Sequence, residues 1–189
     1  MTRFADCSKN LVIEMEIMIR KALPEDAHDY AMCHISCWQS AYKGIVPDDF
    51  LQGMWASKEE RVEKYRKAFA EPGDSEYFCV MYAERMIGFF FMSKSRDEDK
   101  SHAGEVVAIY LLEEFWDKSY GRKIMDYAVD RLKNQNYSEI ILWTFEENAR
   151  ARRFYEKCNF KFDCAKKEMT WGKPLTLVRY VLLNVNDYE

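Results

Sequence analysis

The chain has 189 residues, 48% of them hydrophobic and 15% aromatic, with only 7 glycines and 4 prolines. That is enough for one domain with a proper core, and it excludes a disordered or low-complexity chain. The 28 Lys and Arg nearly balance the 32 Asp and Glu, for a net charge of −4. A broad basic nucleic-acid face is thereby excluded, although local cationic patches are not.

The six cysteines (Cys7, Cys33, Cys37, Cys79, Cys158, Cys164) include no CxxC. Cys33 and Cys37 are one helical turn apart but lack a second Cys/His pair at ligand spacing, so no metal is expected. No secretory signal and no apolar run of membrane-spanning length is visible. The expectation is a cytoplasmic protein with reduced thiols, no nucleic-acid partner and no membrane partner.

Residues 1–14 read as a loose N-terminal arm, and 15–189 as one domain. "EIMIR" (16–20) alternates as a strand does. "ALPEDAHDYAMCHISCWQSAY" follows as a helix entered through Pro24, with Glu25 and Asp26 at its positive end. "VPDDFLQGM" is a short helix or turn. "SKEERVEKYRKAFAE" is a helix whose Ser57 and Glu60 have the spacing of a capping box. "EYFCVMYAE" and "MIGFFFMSKS" form a hairpin. "RDEDKSHAG" (96–104) reads as a charged, solvated loop.

"EVVAIYLL" is apolar on both faces, as a covered central strand is. A helix from about Ser119 to Asn134 carries the stripe Ile124, Met125, Ala128 and Leu132. "EIILWTF" is a second two-sided strand, "NARARRFYEKC" a helix, and two strands near 160–168 and 174–183 close the chain. The order is that of an α/β sandwich around a right-handed βαβ unit.

The helix after the first of these central strands opens with free N–H groups that, with the helix dipole, suit an anion. Asp117, Lys118, Ser119, Tyr120, Gly121 and Arg122 lie where those amides are expected. Gly121 permits close backbone approach or a positive φ, and Lys118, Arg122 and Lys123 bring matching charge. The loop by itself fits a phosphate ligand and ordinary turn chemistry alike. In "NARARRFYEKCNF", Asn148 is placed as an N-cap, with Tyr155 seven residues on, sharing a face with Ala151 and Phe154. A tyrosine on such a face is commonly a core residue with a hydroxyl partner.

Together these two segments resemble the GNAT superfamily of acyl-CoA-dependent N-acetyltransferases, over about Glu16 to Leu183. The family's loop, Arg/Gln-x-x-Gly-x-Gly/Ala, aligns with "WDKSYG", so Trp116 stands at the Arg/Gln position, Ser119 at the first Gly and Gly121 at the second. The family's N-x-x-A-x-x-F-Y-x-K-x-G-F aligns with "NARARRFYEKCNF", with Asn159 in place of Gly. "WQSAYKGIVPDDFL" (Trp38–Leu51) is similar to the region of the first helices in many members.

The resemblance implies a mixed, mostly antiparallel sheet with helices on both faces and a parallel, splayed pair made by the fourth and fifth strands. It implies acetyl-CoA as acyl donor, with pantetheine bonding to main chain at Ile109, Tyr110 and Leu111. The loop from Asp117 to Lys123 would hold phosphates, Asn148 would orient the pantetheine arm or cap its helix, and Tyr155 would protonate the leaving sulfur. The implied reaction moves acetyl to a primary amine in a ternary complex, so no cysteine is needed as nucleophile.

Glu105 opens the central strand beside Val107 and Ile109; it reads equally as a base with a raised pKa and as the end of a charged loop. His34 and His102 are weaker candidates. Trp38 and Tyr42, with Phe50, Trp55 and Trp171, would wall the side of a small-molecule or peptide amine acceptor, in a monomer or homodimer. The changed loop at Trp116 and Ser119 motivates an alternative, an acyl-CoA-binding or interaction module with little catalysis. A nucleotide-binding protein fits less well, because the P-loop ending and the dinucleotide glycine spacing are missing.

Overall fold

The computed structural model describes residues 16–188; the expected arm at 1–14 lies outside the described residues. Seven strands form one sheet in the order β1-β2-β3-β4-β5-β7-β6. They are β1 (Ile17–Lys21), β2 (Glu76–Tyr82), β3 (Arg85–Lys94), β4 (Gly104–Leu111), β5 (Ile140–Phe145), β6 (Lys161–Thr170) and β7 (Pro174–Leu182). The helices are α1 (Ala27–Ala41), α2 (Asp48–Ala56), α3 (Lys58–Ala70), α4 (Tyr120–Asn134) and α5 (Ala149–Lys157). Every neighbouring pair is antiparallel except β4 with β5. The segment left open as helix or turn is α2.

Each face of the sheet has its own core. On one, α4 presents Ile124, Met125, Ala128, Val129 and Leu132 to Phe78, Phe90, Ile140 and Leu142. On the other, α1 and α3 bury Tyr30, Ala31, Tyr65 and Phe69 against Cys79 and Phe89. Phe78 and Phe90 are each under 2% exposed and stack at 4.7 Å. Burying one such ring contributes about 2–3 kcal/mol of transfer free energy, so this cross-strand pair helps fix the β2–β3 register. A third cluster joins α1 and α2 to the ends of β5 and β7 through Ile35, Tyr42, Leu51, Phe145 and Leu177.

Two local expectations fail. The Ser57 hydroxyl makes no cap bond; it donates instead to the Met54 carbonyl at 3.2 Å, because α3 follows directly on α2. The 96–104 segment is pinned and not merely solvated. Arg96 grips the Glu105 carboxylate through Nη2 at 2.7 Å and Nε at 3.1 Å. Arg179, 5% exposed on β7, donates to Asp97 and Asp99 of the loop and to Asp163 of β6. Lys100 and His102 both reach Glu139. These partners are distant in sequence, so a local reading sees only their charge.

Candidate active site

β4 and β5 pair only at Gly104–Ile140 and Glu105–Ile141. Beyond that point β4 stays with β3 as far as Leu111, and β5 stays with β7 as far as Phe145. A wedge therefore opens in mid-sheet. Its local cause is a bulge: the register jumps from Phe91–Ala108 to Met92–Val106, leaving Val107 unmatched, and an unmatched residue bends its strand. The Leu112 N–H donates to Ile87 O at 2.9 Å. Antiparallel pairs alternate in their bonding, so Tyr110 turns its main chain to β3 while Ile109 and Leu111 turn theirs into the wedge. The wedge edge of β4 is thus formed by the main chain of Ile109 and Leu111 and not by that of Tyr110.

The wedge widens into a cleft of about 790 Å³ that runs through the sheet from α1 to α4 and α5. On the α4–α5 side its lining includes Asp117, Arg122, Arg150, Arg153 and Lys157, four cations against one carboxylate. Asp117 and Ser119 both hold left-handed backbone, at φ 57° and 61°. Ser119 is the N-cap of α4 but makes no side-chain cap bond. Gly121 does not have a positive φ; it lies in the first turn of α4, where a Cβ would meet the Phe154 ring at 3.4 Å.

Trp116 closes the loop's other flank. Its indole N–H donates to Leu111 O at 2.8 Å, and the Arg150 guanidinium lies 3.6 Å from its ring centroid while reaching Asp117 at 3.2 Å.

Asn148 caps α5, its Oδ1 accepting from the Ala151 N–H at 3.0 Å. Asn159 takes the left-handed position just past the helix, at φ 62°, where glycine is otherwise favoured. Between these two caps Tyr155 is held at 8% exposure with its side chain on the cleft. Its hydroxyl bonds to no described residue. Burial pushes this phenol well above its ordinary pKa, with a smaller contribution from Tyr42.

The α1 side is different in kind. Tyr42 and Tyr110 line it and share a hydrogen bond, Oη to Oη, of 2.6 Å. Burial raises both phenols, Tyr42 to about 12. Trp38 is not part of the lining. It packs edge-on against Tyr42 and Trp171, which in turn meet Phe145, in a closed ring with centroids 4.7–6.2 Å apart. Of the expected aromatic wall, Tyr42 therefore faces the cleft, and Trp38 and Trp171 brace it. His34 accepts or donates at Nδ1 to the Tyr65 hydroxyl, 2.7 Å away and off the cleft.

Several other expected residues stand apart from the cleft. Glu105 is 2% exposed at the paired end of β4 and held by Arg96, below the point where the wedge begins. Lys118 lies over the Phe115 ring at 5.1 Å, Lys123 reaches Glu16 at 3.4 Å, and Tyr120 packs near Tyr82 and Phe115. Lining residues passed over in the sequence are Trp143, Arg150, Arg153 and Lys157. The "RARRFYEK" run signalled the cations; nothing local signalled Trp143. No group of three or more His, Cys, Asp or Glu among the described residues is placed to hold a metal. No helix among them is long and apolar enough to cross a membrane.

Comparison with known proteins agrees with this geometry. Residues 38–160 match the family described as "Acetyltransferase (GNAT) family". The probable N-acetyltransferase Rv2775 of Mycobacterium tuberculosis is 28% identical over 162 residues, 85% of this chain and 87% of that protein. The uncharacterized N-acetyltransferase YuaI of Bacillus subtilis is 26% identical over 70% of this chain and 73% of its own length. In fold, the chain is similar to the PaiA N-acetyltransferase of Thermoplasma acidophilum in complex with coenzyme A. That likeness has a TM-score of 0.69 at 20% identity and covers 87% of this chain and 98% of the other.

Proposed function

Because the chain belongs to the acetyltransferase (GNAT) family, we propose that it moves an acetyl group from acetyl-CoA to a primary amine by direct transfer in a ternary complex. Family membership makes it an acyltransferase with acetyl-CoA as donor; the acceptor and the direct route are our reading. The observation that carries it is the wedge: a passage through the sheet that is cationic on one side and neutral on the other.

The residues present suit a phosphate-bearing donor. The left-handed turns at Asp117 and Ser119 lead into the uncapped start of α4, whose free amides and dipole favour anions. Arg122, Arg150, Arg153 and Lys157 supply charge of the matching sign. Ile109 offers its main-chain N–H and carbonyl, and Leu111 its N–H, to an amide-bearing arm, as the unpaired edge of a strand does, while the Leu111 carbonyl is already taken by Trp116. Bound there, acetyl-CoA supplies an activated acetyl thioester.

Transfer breaks the C–S bond and forms a C–N bond; one proton leaves the amine nitrogen and one joins sulfur. Tyr155 is assigned the second proton, and its phenolate, once formed, takes up the proton shed by the nitrogen, so the two transfers balance. Its raised pKa keeps it protonated at neutral pH, and its hydroxyl has no competing partner among the described residues. No separate base is assigned, because the carboxylate of Glu105 is engaged by Arg96 outside the cleft. The uncharged lining on the α1 side favours the uncharged amine instead.

Tyr155→Phe is expected to lower kcat by about 100-fold while the calorimetric Kd for acetyl-CoA stays within about 2-fold, since one uncharged hydroxyl is removed. Unchanged turnover would take Tyr155 out of the chemistry. Ser119, a side-chain-bearing residue in left-handed backbone where the family has glycine, favours a second reading as an acyl-CoA-binding module. Acetyl-CoA binding without CoA release across a broad amine screen would establish that reading.

A further inference from the structure

The two sides of the cleft differ in charge, and the difference bears on the acceptor. All five charged lining residues, Asp117, Arg122, Arg150, Arg153 and Lys157, come from the loop before α4, from its first turn, and from α5. The lining contributed by α1 and by the α1-facing positions of β4 and β5 is Ser40, Ala41, Tyr42, Ala108, Tyr110 and Trp143. None of those six side chains carries a charge at neutral pH, since both phenols are raised by burial.

The charges nearest this side are already engaged elsewhere. Trp143 donates its indole N–H to Asp97 at 2.9 Å and has Lys167 Nζ 3.7 Å from its ring centroid. Asp97 also accepts from Arg179, and Glu105 from Arg96. Trp143 thus presents a ring held in place by Asp97, a carboxylate that lies outside the cleft lining and already accepts from both the indole and Arg179. Tyr42 and Tyr110 bring two hydroxyl protons and use one in their mutual bond, which leaves one donor and some acceptor lone pairs but no formal charge to pair with a carboxylate or an ammonium.

We infer that the acceptor is an apolar monoamine: a primary amine on an aliphatic or aromatic body, with no second charge within a few carbons of the reacting nitrogen. This rests on the acetyl-transfer reading above and names its substrate class. A carboxylate or second ammonium carried into the neutral side gives up its hydration with no partner there to replace it. Discrimination against a group that leaves such charges unpaired reaches several orders of magnitude.

The test uses the full chain with acetyl-CoA and three probes: 2-phenylethylamine, phenylalanine and 1,3-diaminopropane, with CoA release and product mass as readouts. The expected kcat/KM for 2-phenylethylamine exceeds that of each charged probe by about 100-fold or more. Ser40→Asp, which places a carboxylate on the neutral side, is expected to shift the ratio of 1,3-diaminopropane to 2-phenylethylamine by about 10-fold in favour of the diamine. A charged probe that is acetylated as fast as 2-phenylethylamine, or a ratio unmoved by Ser40→Asp, overturns the monoamine inference and leaves acetyl transfer standing. Acetyl-CoA bound by calorimetry with none of the three acetylated overturns the monoamine inference, and an absence of CoA release across the broad amine screen as well overturns both.

Discussion

The Tyr42 and Tyr110 hydroxyls lie 2.6 Å apart, so a single hydrogen bond ties the end of α1 to the splayed part of β4. Tyr110→Phe leaves the Tyr42 oxygen without its partner in a desolvated place, at a cost of about 1 kcal/mol of stability. If the pair also orients the amine, KM for the acceptor rises about 5- to 10-fold with kcat little changed. Tyr65→Phe is the comparison, since it breaks the similar bond to His34 away from the cleft. It is expected to lose stability while leaving KM where it was, and steady-state kinetics beside urea titration read both variants.

Ser119 occupies left-handed backbone at φ 61°, a conformation that costs a residue with a side chain about 1 kcal/mol. Ser119→Gly removes the strain and the Cβ from the loop before α4. Part of the stability gain is offset by the freer unfolded chain, so the net change stays under about 1 kcal/mol. Binding is the sharper readout: the calorimetric Kd for acetyl-CoA is expected to tighten by about 3- to 10-fold, within the range a single relieved contact supplies. Ser119→Val, β-branched at the same φ, is expected to move both quantities the other way.

Gly88 sets how closely β3 approaches β4 under the site. A Cβ there would fall 2.4 Å from Tyr110 O and 2.7 Å from Leu111 Cδ2, so Gly88→Ala pushes the strands apart. The expected loss is about 1–3 kcal/mol, accompanied by weaker acetyl-CoA binding because Ile109 and Leu111 move with β4. Gly53→Ala in α2 is the opposite case. Nothing lies within 4 Å of its Cβ, and the expected change is a gain of about 0.5–1 kcal/mol from helix propensity. Denaturant midpoints separate the two.

Burial holds the His34 imidazole down at about 3, with Arg61 and Lys64 adding to the effect. Its folded pKa lies below the ordinary value of 6.5, so the unfolded chain binds the extra proton first. Stability from this group is fully present above about pH 6.5 and falls by up to about 1.4 kcal/mol per unit as pH drops toward 3. His34→Gln, which can still bond Tyr65, is expected to flatten urea midpoints measured between pH 4 and 7. An unchanged slope in the variant would assign the acid sensitivity to other groups.

What the sequence disclosed, and what it withheld, follows the range of the interactions. Asn148 is legible as a cap because capping involves residues within one turn. The α4 stripe and the two-sided strands β4 and β5 are legible because burial follows backbone period. The wedge is another matter: a strand apolar on both faces looks the same whether its edge is paired or free, and the bulge at Val107 appears only against the β3 register. Trp38 and Tyr42 look alike as aromatics, yet one braces and the other lines the cleft. Glu105 resembled an available base because its partner, Arg96, lies in a loop whose ordering depends on Glu139, Asp163 and Arg179.

Two residue pairs are all that join β4 to β5, although these strands sit in the middle of a seven-stranded sheet. Protection from solvent deuterium usually deepens toward a sheet's centre. Here the ranking is expected to invert in a deuterium-exchange measurement: the amides of Ile109 and Leu111 exchange early, while those of β2, a strand near the rim with both neighbours in place, exchange late. The sheet thus has its fewest rungs along its own midline, and exchange that slows at Ile109 and Leu111 on adding acetyl-CoA is the expected sign of a donor threaded there.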